Sequence, residues 1–383
     1  MKILLIYPGK SGPLKVANAI STHLAKLGNQ VYLYLLDSPE YKLDFGDVIV
    51  DFPPPHLTRS PFFGRLARMF KLWHINFYPD IILTSFSFPI PFMKLFFRNA
   101  PIVYNMMGVP RADVVINNIT LKICYMLESL MSKRYSRKVP TFTTSKSCRK
   151  YTLKNWKTNV GVIWNGINTD FFRPTNDKTK LRKDLKMHDY DLVVILGLTR
   201  FTLVYKPMLY LKWYNNVLQQ HNDKKILTLI LGKINTSQKE AIHNLFSVHS
   251  SKNSSNSHQF IIRYITDLEL LRNYYQVSDV FISFLPQSLM EKEALACGIP
   301  VLTAFWEGQM AKKLLHNLQH GLSQEIFIEK LNLLLSNEKL RNRYTKHSRL
   351  VAESDFSNEV MADRYFAILK KVVSPSINKE ANA

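Results

Sequence analysis

Cysteine is scarce in this chain, and its spacing argues against two common kinds of site. The 383 residues include three cysteines, Cys124, Cys148 and Cys297. They share no Cys-x-x-Cys spacing, so neither a disulfide framework nor a cysteine-rich metal site is expected. The sequence predicts reduced thiols in a cytoplasmic protein and no metal centre, because His316 and His320 at helical spacing have no third ligand in view.

Long apolar runs are also lacking. No stretch reaches the roughly 20 apolar residues that a membrane-spanning helix needs. The most apolar region, DIILTSFSFPIPFMKLFF at 80–97, is interrupted by Pro89, Pro91 and Lys94. The N-terminal MKILLIYPGK has an apolar run too short for a signal peptide, and we interpret it as the first strand of the fold.

Acidic residues are outnumbered by basic ones. Lysine and arginine total 51 against 29 aspartates and glutamates, which gives a net charge of +22 and a pI near 9.7. Such an excess favours an anionic partner, which could be nucleic acid, a phospholipid surface or a phosphorylated small molecule. No compact nucleic-acid-binding motif accompanies the charge, so we do not expect a nucleic-acid partner.

The order of apolar runs predicts an α/β protein. Continuous apolar runs at 2–7, 30–36, 80–84, 101–104 and 141–144 are separated by helical patterns in the first half of the chain. A second series has runs at 192–198, 225–231, 259–264, 280–284 and 300–305. Runs that are apolar throughout are typical of parallel strands covered on both faces. We therefore expect two doubly wound Rossmann-like domains facing a central cleft.

The polar stretch at 165–190 is interpreted as the connection between these domains. The expected boundaries are 1–165 for an N-terminal domain and 166–352 for a C-terminal domain. The remaining residues, 353–383, are expected to form a helix that returns toward the first domain, followed by a tail.

The segment LPQSLMEKEALACGIPVLT at 285–303 predicts a short helix between two strands. Ser288 and Glu291 have capping-box spacing, so the helix should begin at Leu289. The amides of Leu289 and Met290 would then be available to a phosphate at the positive end of the helix dipole. Glu293 lies one turn further on, where a carboxylate can bind a ribose diol, although spacing alone favours an ordinary helical glutamate.

Three segments together resemble a known family, the retaining glycosyltransferases of family four, which have the GT-B fold. The quoted segments are VIWNGINTDFFRP (162–174), LGLTRFTLVYKP (196–207) and SDVFISFLPQSLMEKEALACGIPVL (278–302). The resemblance runs almost from end to end, and its most specific parts are Asn165-Gly166-Ile167-Asn168 and KEALACGIPVL.

The resemblance assigns roles to individual residues. It implies that the N-terminal domain (1–165) binds the acceptor and that the C-terminal domain (166–352) binds the nucleotide-sugar. It also implies that Arg200 and Lys206 grip the donor diphosphate and that Glu293 contacts the donor ribose. Fixed cations and helix-end amides can stabilise a diphosphate leaving group without a metal or any other cofactor. The remaining donor-contacting residues expected are Gly12, Ile265, Ser288, Leu289 and Met290.

Two departures from the family pattern leave an alternative open. Leu285 stands where the family has a first glutamate, and Asn105, Met106 and Met107 stand where it often has a histidine. The leading hypothesis is an enzyme that transfers a hexose with retention from a UDP- or GDP-sugar to an acceptor glycan or lipid-linked glycan. The alternative is a non-catalytic GT-B-like subunit that binds a nucleotide or lipid and supports a partner.

The segment RSPFFGRLARMFKLWHINFYP at 59–79 combines basic and aromatic residues and contains no acid. A basic amphipathic helix of this kind can lie in an anionic lipid interface. A helix packed on the core with a solvated basic face fits the pattern equally well. The resemblance favours the first interpretation, which predicts peripheral association with the inner face of the cell membrane.

Overall fold

The chain consists of two α/β units. The computed structural model describes residues 1–9, 11–39, 43–52, 71–72, 74–108, 119–198, 207–250, 258–283, 288–303 and 324–380. One compact unit contains Met1–Gly166 and Ser357–Ala383, and the other contains Ile167–Phe356. The expected α/β class with two parallel sheets is confirmed.

Twelve strands are present among the described residues. Those of the first unit are β1 (Lys2–Tyr7), β2 (Gln30–Leu35), β3 (Ile49–Asp51), β4 (Ile81–Thr84), β5 (Ile102–Met106), β6 (Thr141–Thr143) and β7 (Gly161–Val162). Those of the second unit are β8 (Leu192–Gly197), β9 (Ile226–Leu231), β10 (His258–Arg263), β11 (Val280–Ser283) and β12 (Val301–Thr303).

The described residues also form twelve α-helices. They are α1 (Ser11–Lys26), α2 (Ile90–Phe96), α3 (Ile119–Tyr135), α4 (Lys146–Tyr151), α5 (Lys178–Asp184), α6 (Pro207–Leu218), α7 (Thr236–Ser250), α8 (Leu268–Val277), α9 (Leu289–Ala296), α10 (Gln324–Ser336), α11 (Glu338–Phe356) and α12 (Asn358–Glu380). The stretch at 165–190 is more than a connection, because it contains α5. Asp177 caps that helix by accepting a hydrogen bond from the Lys180 amide.

The sheet of the first unit has seven parallel strands in the order β3-β2-β1-β4-β5-β6-β7. Every residue of β4 and β5 is buried, which explains why their sequences are apolar throughout. The short strands β3 and β7 were not predicted from the sequence. They lie at the two edges of the sheet and are not fully buried, so their two or three residues carry no distinctive hydrophobic pattern.

Helices cover both faces of this sheet. On one face α1 and α12 pack together over β1 and β2, with Leu14, Ile20 and Tyr365 in the core. On the other face, buried side chains of α2 and α3 contact β4 and β5. Of the basic segment at 59–79, residues 59–70 and 73 lie outside the described part of the chain.

The second unit has a five-stranded parallel sheet in the order β10-β9-β8-β11-β12. The chain winds from β8 outward to β10 and then returns to place β11 on the other side of β8. Strands β8 and β9 are entirely buried, as their continuous apolar sequences predict.

Candidate functional site

The order of strands in the second sheet creates a topological switch point, where two connections diverge and leave a crevice at the carboxyl edge. Strands β8 and β11 are direct neighbours, with Gly197 paired to Ser283 at their ends. The chain leaves β8 toward β9 on one side, whereas it leaves β11 toward β12 on the other. Ligands of open parallel sheets bind at such a topological switch point, outside the carboxyl ends of the strands.

Two sequence-predicted segments begin at this point. The segment that contains Arg200 and Lys206 follows β8, and the segment that contains Leu285 follows β11. These three residues themselves lie outside the described part of the chain. Since β8 and β11 are adjacent, the two segments start side by side at the same edge of the sheet.

Helix α9 starts directly after the second of these segments, and its start is fixed by a complete capping box. The Ser288 hydroxyl accepts a hydrogen bond from the Glu291 amide at 3.1 Å, and the Glu291 carboxylate accepts one from the Ser288 amide at 3.0 Å. The predicted start at Leu289 is therefore confirmed. The amides of Leu289 and Met290 have no acceptor within the helix, as at any helix N-terminus.

Glu291 has a second function that the sequence does not reveal. Its carboxylate also accepts a 2.6 Å hydrogen bond from the hydroxyl of Thr303, the last residue of β12. Glu291 is fully buried. The same side chain thus caps α9 and attaches it to the end of the neighbouring strand.

Glu293 is buried and is held by a tyrosine. Its exposed fraction is 3%, and its Oε2 accepts a 3.2 Å hydrogen bond from the hydroxyl of Tyr275 on α8. The Tyr275 ring packs against the rings of Phe172 and Phe281, each at a centroid distance of 6.0 Å. Burial, together with the negative charge of Glu293, raises the pKa of Tyr275 well above its usual value, so the hydroxyl stays protonated and remains a donor.

Sequence reasoning missed Tyr275. It is one of two adjacent tyrosines in α8, and nothing in the local pattern distinguishes it from Tyr274. Only the packing of α8 beside α9 identifies the one that reaches Glu293.

The burial of Lys292, which lies between Glu291 and Glu293, is also not predicted by the sequence. It is 1% exposed, and its ammonium lies 5.1 Å from the centre of the Phe356 ring. Burial lowers the pKa of Lys292 to about 7, although the neighbouring Glu291 carboxylate acts in the opposite direction. A lysine at this depth is therefore easily deprotonated near neutral pH.

The end of α9 is fixed as firmly as its start. Gly298 has a φ of +76° and donates to the Leu295 carbonyl, while Ile299 donates to the Ala294 carbonyl, as in a Schellman motif. The guanidinium of Arg349 on α11 donates to the Ala296 carbonyl at 2.8 Å. Such caps at both ends make this eight-residue helix a rigid support for Glu293.

Two other sequence-predicted residues, Ile265 and Gly12, are also described. Ile265 is half-buried in the connection after β10, two strands from β8 at the same sheet edge. Gly12 belongs to the first unit, where it lies in the first turn of α1. That turn follows β1, which has β2 on one side and β4 on the other and is therefore the switch point of the first sheet.

The stretch 105–107, where the resembled family often has a histidine, comprises the last two residues of β5 and the residue after it. Asn105 is fully buried, and its Nδ2 donates to the hydroxyl of Tyr7 at 2.9 Å and to Sδ of Met107 at 3.2 Å. Met106 is also fully buried. These contacts place an amide, which is not a titrating group, near the carboxyl edge of the first sheet.

No group of three or more potential metal ligands occurs among the described residues, and none of their helices has the length and hydrophobicity to cross a bilayer.

The Asp189-Tyr-Asp191 sequence resembles a metal-binding motif. However, Asp191 accepts a hydrogen bond from the Lys225 amide at 2.8 Å and so fixes the start of β8 beside that of β9. His316 and His320 lie outside the described residues.

Comparisons with known proteins place this geometry in context. No family model matches the chain. Spore coat protein SA of Bacillus subtilis is 23% identical over 228 residues, which cover 55% of this chain and 58% of the length of that relative.

Solved structures match over nearly the whole chain. Sucrose-phosphate synthase from Thermosynechococcus elongatus has a TM-score of 0.69 at 16% identity and covers 98% of this chain and 100% of its own. A glycosyltransferase from Rickettsia africae has a TM-score of 0.68 at 19% identity, with 97% and 98% covered. HepE of Anabaena, solved with UDP-glucose, has a TM-score of 0.68 at 15% identity, with 97% and 100% covered. Similarity at this level establishes the fold, and the chain accordingly has the GT-B fold of two Rossmann-like domains.

Proposed function

We propose that the chain is a retaining glycosyltransferase that moves a hexose from a nucleotide-sugar to an acceptor hydroxyl. The observation that carries this proposal is the arrangement at the β8/β11 switch point. The segment with Arg200 and Lys206 follows β8, and the capped start of α9 comes shortly after the neighbouring strand β11. The solved complexes of HepE with UDP and with UDP-glucose, which share the fold, support a nucleotide-sugar donor.

The donor diphosphate would bind at this switch point. The amides of Leu289 and Met290 at the start of α9 would donate to its oxygens, since a helix N-terminus favours an anion. Arg200 would contribute a planar pair of donors and Lys206 a point charge. Ser288 and Ile265 would line the donor site.

The ribose would be bound by Glu293. A carboxylate can accept hydrogen bonds from both hydroxyls of a vicinal diol, and Tyr275 holds this one in a fixed orientation. A preoriented acceptor loses less conformational entropy when the donor binds.

In the reaction, the bond between the anomeric carbon of the sugar and the diphosphate oxygen breaks while the acceptor oxygen forms its bond on the same face. The acceptor proton passes to the departing phosphate, so no separate base and no metal or other cofactor is required. Arg200, Lys206 and the helix amides stabilise the charge that develops on the diphosphate.

The acceptor would bind to the first unit near Gly12. We propose a glycan or a lipid-linked glycan, handled by a cytoplasmic protein that associates peripherally with the inner face of the cell membrane. The basic excess of the chain supports an anionic surface as the partner.

A panel of UDP- and GDP-sugars tests the proposal. A donor that binds the folded state should raise the melting temperature, and the stabilising donor should then support transfer or slow hydrolysis. Glu293→Ala and Arg200→Ala should each lower turnover by about 100-fold, since each removes a charged contact to the donor. Glu338→Ala controls for the loss of a glutamate away from the site, because Glu338 is an exposed first-turn residue of α11. Unchanged turnover in both site variants would refute the site.

One observation favours a second candidate, a non-catalytic GT-B-like subunit that binds a nucleotide or lipid and supports a partner. Asn105 and Met106 are buried in β5 at the positions where the family often has a histidine. Calorimetry followed by a hydrolysis assay separates the two candidates. Donor binding without any turnover would favour the subunit.

A further inference from the structure

The outer surface of α3 carries an apolar stripe that no described residue covers. Ile123, Met126, Leu127 and Leu130 are 48%, 50%, 38% and 58% exposed. Their spacing of three and four residues places them on one side of the helix. The opposite side already supplies the core with buried residues such as Tyr135. A helix that only covers a sheet needs one apolar side, so the second apolar side requires an explanation.

Basic side chains border this stripe. Lys122, Lys133 and Arg134 are exposed on the same helix. The one acid of α3, Glu128, is turned inward. Its Oε1 accepts hydrogen bonds from the amide and the hydroxyl of Ser87, at 2.9 and 2.8 Å. The exposed surface of α3 therefore combines apolar groups and positive charge, and it has no exposed carboxylate of its own.

The surrounding sequence has the same charge bias. Residues 81–166 contain thirteen lysines and arginines but two acids, Asp113 and Glu128. On the adjacent helix α2, Leu95 is 59% exposed and follows Lys94, whose ammonium lies 5.9 Å from the centre of the Tyr135 ring at the end of α3. The combination of exposed apolar and basic groups thus extends beyond a single helix.

We propose that α3 docks the first unit on an anionic phospholipid surface. Its apolar stripe would enter the boundary between headgroups and acyl chains, while Lys122, Lys133 and Arg134 would contact lipid phosphates. The charge favours a lipid surface over a second copy of the chain, because a second copy would present an equally basic surface. The proposal names the surface used in the peripheral association proposed above, and it does not depend on the transfer reaction.

This surface differs from the one expected from the sequence. The segment at 59–79 was singled out for its pattern of arginines and aromatic residues, and most of it lies outside the described residues. From the sequence alone, the apolar residues of α3 indicate a helix and nothing more. Only their exposure in the folded chain distinguishes them from core residues.

Vesicle flotation with the full-length protein tests the proposal. The protein should bind vesicles of phosphatidylcholine with phosphatidylglycerol at least ten-fold more tightly than vesicles of phosphatidylcholine alone, and salt should weaken the binding. The variant Met126→Glu/Leu130→Glu should bind the vesicles that contain phosphatidylglycerol at least ten-fold more weakly than the wild type. The variant Lys133→Gln/Arg134→Gln should bind these vesicles about 25-fold more weakly. Each basic residue near the membrane surface contributes about five-fold to the affinity.

Leu350→Glu provides a matched control. Leu350 is 62% exposed on α11 of the second unit, and it is near the basic residues Arg343 and Lys346. Its replacement makes the same chemical change as the Leu130→Glu half of the α3 variant, at a similar exposure, and should leave vesicle binding unchanged. Glu293→Ala should also bind vesicles like the wild type. Loss of donor binding and loss of vesicle binding can therefore be told apart.

Three results would overturn the proposal. The first is wild-type protein that does not bind phosphatidylglycerol vesicles, and the second is equal binding by the wild type and both α3 variants. The third is a dimer, observed without lipid by analytical ultracentrifugation, that Leu130→Glu dissociates. If Met126→Glu/Leu130→Glu has a lowered melting temperature, the lysine and arginine variant still decides the question, because it alters only exposed groups.

Discussion

The hydroxyl of Thr303 donates a 2.6 Å hydrogen bond to Oε1 of Glu291, and both side chains are buried. This bond attaches the start of α9 to the end of β12. Since α9 carries Glu293, the bond also contributes to the position of the proposed donor site.

Replacing Thr303 by valine keeps the shape of the side chain and removes the donor. We expect the free energy of unfolding to fall by about 1–3 kcal/mol, because a buried carboxylate loses one hydrogen bond. Urea denaturation measures the change. Thr303→Ser retains the hydroxyl and should recover most of the loss, whereas a valine variant as stable as the wild type would contradict the assigned contact.

Tyr275→Phe should weaken donor binding through Glu293. The phenyl ring still packs against Phe172 and Phe281, but the carboxylate loses the hydroxyl that orients it. We expect the dissociation constant of the UDP- or GDP-sugar that stabilises the wild type in the donor panel to rise by about ten-fold, as for the loss of one hydrogen bond to a charged group. Calorimetry with that nucleotide-sugar gives the value.

Tyr274→Phe is the control for this experiment. Tyr274 is the adjacent, partly exposed tyrosine of the same helix. If both variants weaken binding equally, the effect does not pass through the contact between Tyr275 and Glu293.

Lys292→Met should stabilise the protein at pH 7. The folded-state pKa of about 7 lies below the value near 10.5 of an exposed lysine, so the unfolded chain binds more protons between these two values. Wild-type stability should therefore rise with pH from about 7 to about 10.5. Methionine has a similar length and no charge, so the variant should gain a few kcal/mol at pH 7.

The comparison of the two proteins across this pH range provides the test. The difference in unfolding free energy between Lys292→Met and the wild type should shrink as pH rises from 7 to 10. A difference that stays constant over this range would contradict the burial of a neutral lysine in the folded state.

Gly232→Ala should disturb the carboxyl edge of the second sheet. A Cβ at this position would overlap the carbonyl of Leu198, the residue that follows β8 and precedes the segment with Arg200. We expect a loss of about 1–3 kcal/mol in unfolding free energy and weaker donor binding. Gly108→Ala is the control, because a Cβ there meets nothing within 4 Å. Equal stability of the two variants would show that the edge can rearrange.

The sequence predicted much of the secondary structure. The apolar runs at 2–7 and 192–198 correspond to β1 and β8 to within one residue, because strands buried on both faces need apolar residues at every position. The start of α9 at Leu289 was also predictable, since a capping box involves residues only three positions apart. Resemblance of three segments to one family predicted the GT-B fold.

These local patterns do not predict contacts between distant segments of the chain. The bonds from Thr303 to Glu291 and from Tyr275 to Glu293 join residues 12 and 18 positions apart, on different elements. Likewise, the pattern of α3 is apolar on two sides, and the sequence does not say which side faces the core. The order of apolar and capping residues thus determined the elements and their class. Tertiary packing alone decided which side chains meet, that Lys292 is buried and that Leu130 is exposed, because burial depends on neighbours supplied by remote parts of the chain.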